Sequence, residues 1–168
     1  MNAPGKGFEL IAEWIRKSSG LPDVEWLCFG DPCDSYQAIT KMLISEGHKG
    51  LYFAGRRSAP DIFSTIDVLV HASTMFDSFP TVLLEAACAG VPSVASSSGG
   101  APEIVVEGST GFLFDCLFPE EGYKKLDFLI SNENARKKFG RNARQRFTEN
   151  FTIDKMLKGY SAFWSLNT

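Results

Sequence analysis

Residues 68–105, VLVHASTMFDSFPTVLLEAACAGVPSVASSSGGAPEIV, decide how the chain folds. Val68 to His71 is a short apolar run that closes on small polar residues, and it reads as a strand. Within Pro80 to Ala89, the residues Val82, Leu83, Ala86 and Ala87 recur at helical spacing, and Gly90 and Pro92 end the segment. Val91 to Ala95 is a second buried strand, after which Gly99-Gly100 turns the chain into Pro102-Glu103-Ile104. Two strand-to-helix turns this close, at the carboxyl ends of neighbouring parallel strands, form the kind of crevice where open α/β sheets take ligands.

The first of these turns has the chemistry of an anion site. Ser78 is a good N-cap, and Pro80 suits a first helical turn because its missing N–H would be unpaired there. The N–H groups of Thr81 and Val82 then point out of the helix end, where the macrodipole favours negative charge. Asp77 lies in the loop and Glu85 one turn inside the helix, eight residues further on. Two acids facing one crevice beside a phosphate site suit the hydroxyls of a ribose or a hexose. Spacing alone leaves a second reading open, in which Asp77 caps the helix and Glu85 is a solvated surface acid.

Outward from this centre the pattern continues. Upstream, Lys6 to Ser18 reads as a helix with Phe8, Ile11, Ala12 and Ile15 on one face, ended by Gly20-Leu21-Pro22. Val24 to Phe29 is a strand, Tyr36 to Ile44 a helix, Leu51 to Phe53 a strand, and Ala59 to Ser64 a short helix. Downstream, Gly108 to Gly111 turns into the strand Phe112–Phe114, followed by helices at Glu120–Ser131, Glu133–Asn150 and Thr152–Ser165. Short strands alternating with helices and Gly-rich turns give a doubly wound, mostly parallel Rossmann-like sheet with helices on both faces. The 168 residues are one domain by size, with the C-terminal helices from residue 133 onward.

Composition excludes several classes. No apolar run approaches the ~20 residues of a membrane span, and MNAPGKG lacks the apolar centre of a signal peptide. Cys28, Cys33, Cys88 and Cys116 have neither CxxC spacing nor paired histidines, which argues against zinc and against a disulfide framework. The expectation is a cytoplasmic domain with reduced thiols. Net charge is −3, yet residues 124–158 carry ten Lys or Arg against four acids. Ala135, Phe139, Ala143 and Phe147 repeat every four residues, so this is an amphipathic helix with a basic outer face. That face is either solvated or drawn to an anionic membrane surface bearing a lipid-linked acceptor, at the inner face of the membrane. No basic, aromatic-interleaved strand pattern argues for nucleic acid.

The acid-x7-Glu stretch DSFPTVLLEAACAGVPSV, with SSSGGAPEIV, GSTGFLF, PGKGFELI and Phe53-Ala54-Gly55, resembles the family 4 retaining glycosyltransferases of GT-B fold. The resemblance covers nearly the whole chain, and it is to the C-terminal, donor-binding half of such an enzyme. It implies a nucleotide-sugar donor, most simply a UDP-linked hexose or N-acetylhexosamine, and no metal or other cofactor. The implied acceptor is a glycan or lipid-linked glycan of a bacterial surface polysaccharide of O-antigen type, bound by an N-terminal domain without which the chain is inactive. By resemblance Lys6 and the amides of Thr81 and Val82 hold the diphosphate, Asp77 the transferred sugar and Glu85 the ribose. Arg56 and its loop face the base, and Phe79 belongs to the same donor group. Asp77 stands where the family usually has glutamate, and Pro80 where it often has glycine.

In that family a strand precedes the Lys-Gly element and carries a phosphate-binding arginine. This chain begins five residues before Lys6, so the first strand is expected to be missing. Another segment or a second chain then supplies it, through self-association, or the sheet is distorted. Two rival readings are a UDP-sugar epimerase half of the same fold and a binding-only nucleotide-sugar module.

Overall fold

The computed structural model describes residues 7–18, 21, 23–30, 34–48 and 50–165. Among them the order is α1 (Phe8–Ser18), β1 (Trp26–Phe29), α2 (Asp34–Ser45), β2 (Leu51–Gly55), α3 (Ala59–Phe63) and β3 (Leu69–His71). There follow α4 (Thr81–Ala89), β4 (Ser93–Ser96), α5 (Ala101–Ile104), β5 (Gly111–Phe114), α6 (Pro119–Ser131), α7 (Glu133–Asn150) and α8 (Ile153–Ser165). Every strand pairing is parallel, and each connection between paired strands carries a helix. This is the doubly wound α/β architecture that the alternation of short strands and helices predicts.

The ladder is in two pieces where the alternation predicts one continuous sheet. β1 pairs with β2, Trp26 opposite Leu51, and β4 lies between β3 and β5, with Ser93 opposite both Leu69 and Gly111. Among the described residues no strand hydrogen-bonds β1 to β3. Helix α1 joins the two pieces instead. Trp14, 1% exposed, packs with Ala72, Val94 and Phe114, and Trp26, Val68 and Val70 lie against the same cluster. The other side of α1 places Ala12 and Ile15 on Leu43, with Trp26 and Leu51 alongside. The Trp26 indole N–H donates to Ser18 Oγ at 2.8 Å, which satisfies the polar end of an otherwise apolar contact.

The three-stranded piece carries the deepest core. All four residues of β4 are buried, as befits a central parallel strand with helices on both faces. Leu83, Ala101, Ile104 and Val105 close over Ala95 on one side, and Leu126, Leu129 and Phe139 over Val94 on the other. Removing a side chain such as Val94 or Leu83 from water contributes about 1.5–3 kcal/mol. Helix α7 runs as its spacing predicts, with Phe139 and Ala143 buried. Helix α8 keeps Ile153, Met156, Leu157, Tyr160, Phe163 and Trp164 exposed. No described helix is long and apolar enough to cross a membrane.

Candidate functional site

The carboxyl ends of β3 and β4 bring two loops together, residues 72–80 and 97–100, and the start of α1 reaches the first of them. Gly7, at φ 66°, approaches so closely that a Cβ there would stand 1.8 Å from the Ala72 carbonyl oxygen. Gly99, at φ 62°, and Gly100 lie on the Asp77–Ser78 backbone, where a Cβ on either would fall 2.0 Å from a carbonyl oxygen. Glycine is therefore required at all three for approach, and at Gly7 and Gly99 also for conformation. The Gly100 N–H donates to the Asp77 carbonyl at 2.8 Å and completes the clasp.

Small polar side chains fix the rest of the 72–80 loop. Ser96 Oγ donates to the Ser73 carbonyl at 2.7 Å in a buried position, and Ser98 Oγ to the Met75 carbonyl at 3.4 Å. The Cys116 thiol lies 3.7 Å from the same Ser73 carbonyl, its pKa raised by burial and by neighbouring Asp115. Buried backbone carbonyls need partners, and here the ends of β4 and β5 supply them.

Helix α4 starts differently from the expectation. Ser78 does not cap it: Pro80 occupies the cap position, at φ −68° and ψ 98°, and no side chain bonds to the helix start. A proline ring at the cap shifts the helix by two residues, and the Asp77 carboxylate takes the Phe79 N–H at 3.1 Å in an Asx turn within the loop. The amides of Thr81 and Val82 are left as the donors of an uncapped end of a nine-residue helix. Macrodipole and free N–H groups together favour an anion there.

Five of the residues singled out from the sequence, Asp77, Phe79, Thr81, Val82 and Glu85, fall on this single loop-and-helix unit. Thr81 and Glu85, four residues apart, share one exposed face of α4, whereas the Val82 side chain packs into the core and offers its amide alone. Asp77 is half-buried. Phe79 is 41% exposed, and its ring meets that of Phe151 at 6.2 Å and 59°, after the end of α7. Arg56 is exposed on the turn after β2, where the Arg57 guanidinium donates to the Arg56 carbonyl at 2.9 Å. Lys6 lies outside the described residues. No group of acids, histidines and cysteines among the described residues could hold a metal ion.

Sequence reasoning misses the Gly99–Asp77 clasp, the serine ties and Phe151. The one available signal is the density of small residues in SSSGG, which close backbone contact requires. The crevice is rimmed by exposed apolar residues from the loops after β3 and β5, Met75, Phe76, Leu117 and Phe118. A separate polar cleft of about 320 Å3, lined by Thr110, Asn142, Arg146 and Glu149 among others, lies at the carbonyl end of α5.

Known proteins share this fold. Anabaena HepE, solved in complex with UDP, superimposes with a TM-score of 0.85 at 24% identity, covering 97% of this chain and 46% of that one. The C-terminal domain of a glycosyl transferase group 1 family protein from Francisella tularensis matches at TM-score 0.80 and 25% identity, over 90% of this chain and 83% of that domain. An uncharacterized glycosyltransferase of Methanocaldococcus jannaschii is 36% identical over 130 residues, 76% of this chain and 33% of the relative. The chain thus spans about a third of the length of that curated relative. The fold is that of the C-terminal half of GT-B glycosyltransferases. A family model described as glycosyl transferases group 1 matches residues 3–146, and the chain belongs to that family.

Proposed function

We propose that the chain is the donor-binding half of a retaining, family 4 glycosyltransferase that takes a UDP-sugar and needs no metal. The observation that carries this reading is the uncapped start of α4, its Thr81 and Val82 amides beside the clasped Asp77 loop, with Glu85 on the exposed face above. That the Anabaena neighbour of the same fold was solved in complex with UDP supports a uridine diphosphate as the ligand. In this reading the diphosphate lies against the helix start and Lys6. The Glu85 carboxylate accepts from the ribose hydroxyls, and Asp77 accepts from the hydroxyls of the transferred hexose or N-acetylhexosamine. Arg56 and its turn face the base, and Phe79 forms the wall between loop and nucleotide.

The chemistry follows from that placement. The bond from the anomeric carbon to the β-phosphate oxygen breaks, and the acceptor hydroxyl forms its new bond on the same face while its proton passes to the departing diphosphate oxygen. The charge that gathers on the departing diphosphate is met by fixed N–H donors and a lysine, and stabilising that charge is the main source of acceleration in reactions of this kind. The acceptor, a glycan or lipid-linked glycan of a bacterial surface polysaccharide, belongs to a second domain that this half faces. Calorimetric titration of the chain with UDP in EDTA tests the reading. Binding in the range of about 0.01–1 mM without added cation is expected, and strict dependence on magnesium overturns it.

A further inference from the structure

The basic face of α7 is partly spent on the site. Arg146 reaches from α7 to the last turn of α5, its Nε donating to the Ile104 carbonyl at 2.9 Å and its Nη2 to the Glu103 carbonyl at 2.6 Å. A one-turn helix has almost no internal partners for its carbonyls, and a guanidinium fork closes two of them at once with the charge that a carbonyl end favours. The same guanidinium lies 5.4 Å over the Phe151 ring, and Phe151 meets Phe79. At its other end α5 begins at Gly100, whose N–H holds the Asp77 carbonyl two residues before Phe79. The contacts therefore close a ring running Arg146, α5, Gly100, Asp77, Phe79, Phe151 and back to Arg146. Arg146 meets α5 at the end opposite the clasp, so it acts on the crevice from behind.

We infer that Arg146, together with Phe151, is a positioning residue for the nucleotide crevice. It sets the angle of α5 and so the position of the clasp that holds the Asp77–Phe79 loop at the start of α4. The inference rests on the nucleotide reading of that crevice. The same helix supplies a matched control: Arg136 Nη1 donates to the Leu129 and Ile130 carbonyls at 2.7 and 2.6 Å, capping α6 rather than α5. Both arginines tie a helix end to α7, and one of the two helices touches the crevice loop.

The 168-residue chain and its Arg146→Lys, Phe151→Leu and Arg136→Lys variants are titrated with UDP in EDTA. The amide resonances of Gly99 and Gly100 are recorded for each without nucleotide. Lysine cannot close two carbonyls as a fork, so Arg146→Lys is expected to shift both glycine amides and to weaken UDP by about five-fold or more. Phe151→Leu, which leaves the carbonyl caps in place, is expected to act in the same direction and serves if Arg146→Lys does not fold. Arg136→Lys should lower the urea midpoint while leaving UDP affinity and the glycine amides at their wild-type values. Wild-type affinity and unmoved glycine amides in Arg146→Lys overturn the inference. So does an equal loss of affinity in Arg136→Lys, which marks general loosening. If the wild-type chain takes no UDP, the nucleotide reading fails by itself, and the glycine amides still decide whether Arg146 sets the clasp.

Discussion

A Cβ added to Gly140 of α7 would stand 2.1 Å from the carbonyl oxygen of Gly90, the residue that closes α4. The two helices cross at backbone contact, with Pro92 also against Gly140, and this crossing sets the tilt of the helix whose other end forms the anion site. Gly140→Ala must push α4 and α7 apart, and overpacking of this kind costs about 1–3 kcal/mol. Gly159, inside α8 with open space around it, is the converse case, and alanine there should add about 0.5–1 kcal/mol through helix propensity. Urea unfolding of both variants reads the two signs. A neutral Gly140→Ala would mean that the crossing is loose.

The clasp gives a second expectation. A methyl on Gly100 would meet the Ser78 carbonyl oxygen at 2.0 Å and the Phe79 Cα at 3.3 Å. Neither partner is the end of a flexible side chain, so the loop before α4 has to move. Gly100→Ala is expected to lower UDP affinity about ten-fold or more while far-UV circular dichroism stays native. Unchanged affinity would show that the 72–80 loop tolerates displacement and does not position the diphosphate.

Alkaline pH should destabilise the fold through Cys28. Burial raises its thiol pKa from 9.0 to about 11, because the thiolate is disfavoured in an apolar surrounding. With the folded value above the unfolded one, the thiol has no effect on stability below pH 9.0. Stability is then lost as pH rises, since the unfolded chain releases the proton first. Two pH units of difference correspond to about 1–3 kcal/mol. Urea midpoints measured from pH 8 to 11 should fall for the wild type and fall less for Cys28→Ala. Parallel slopes would assign the alkaline loss to other groups.

Local physics makes the scaffold legible and hides the ties between its parts. The apolar runs at Val68 to His71 and Val91 to Ala95 predict strands that begin one or two residues later, at Leu69 and Ser93. Their positions are readable because burial on both faces demands continuous apolar residues. The start of α4 is misread because Ser78 has the right side chain for a cap, while the position that matters is set by the proline ring two residues on. Arginines on α7 read from sequence as a solvated or membrane-facing charge. In the fold Arg136 and Arg146 cap helix ends, and the Arg144 guanidinium meets the Cys88 thiol at 3.2 Å. Spacing along one helix cannot reveal a partner 42 or 56 residues away. The alternation of strands and helices predicts one continuous sheet, whereas among the described residues no strand pairs β1 with β3, and the bridging of both pieces by Trp14 and Trp26 depends on tertiary packing alone.

The two acids of the crevice should separate by substitution. Glu85 stands exposed on α4, so Glu85→Gln leaves the fold intact and removes the charge-assisted bond to a ribose. Such a bond is worth roughly 1.5–3 kcal/mol, and UDP and UDP-sugar should therefore weaken together, by about ten-fold or more. Asp77 has two duties, because its Oδ1 also accepts the Phe79 N–H at 3.1 Å. Asp77→Asn keeps that acceptor oxygen and so keeps the loop. It should leave UDP affinity nearly unchanged, and in the full-length enzyme it should lower turnover with the intact donor, since contacts to the sugar change most as the glycosidic bond breaks. Asp77→Ala removes the Asx turn as well and should lose UDP affinity through the loop. Calorimetry with UDP, together with steady-state kinetics in which UDP competes with the donor, distinguishes the three variants. If Asp77→Asn lost UDP as severely as Asp77→Ala, the carboxylate charge itself would be holding the loop, and its assignment to the sugar would fail.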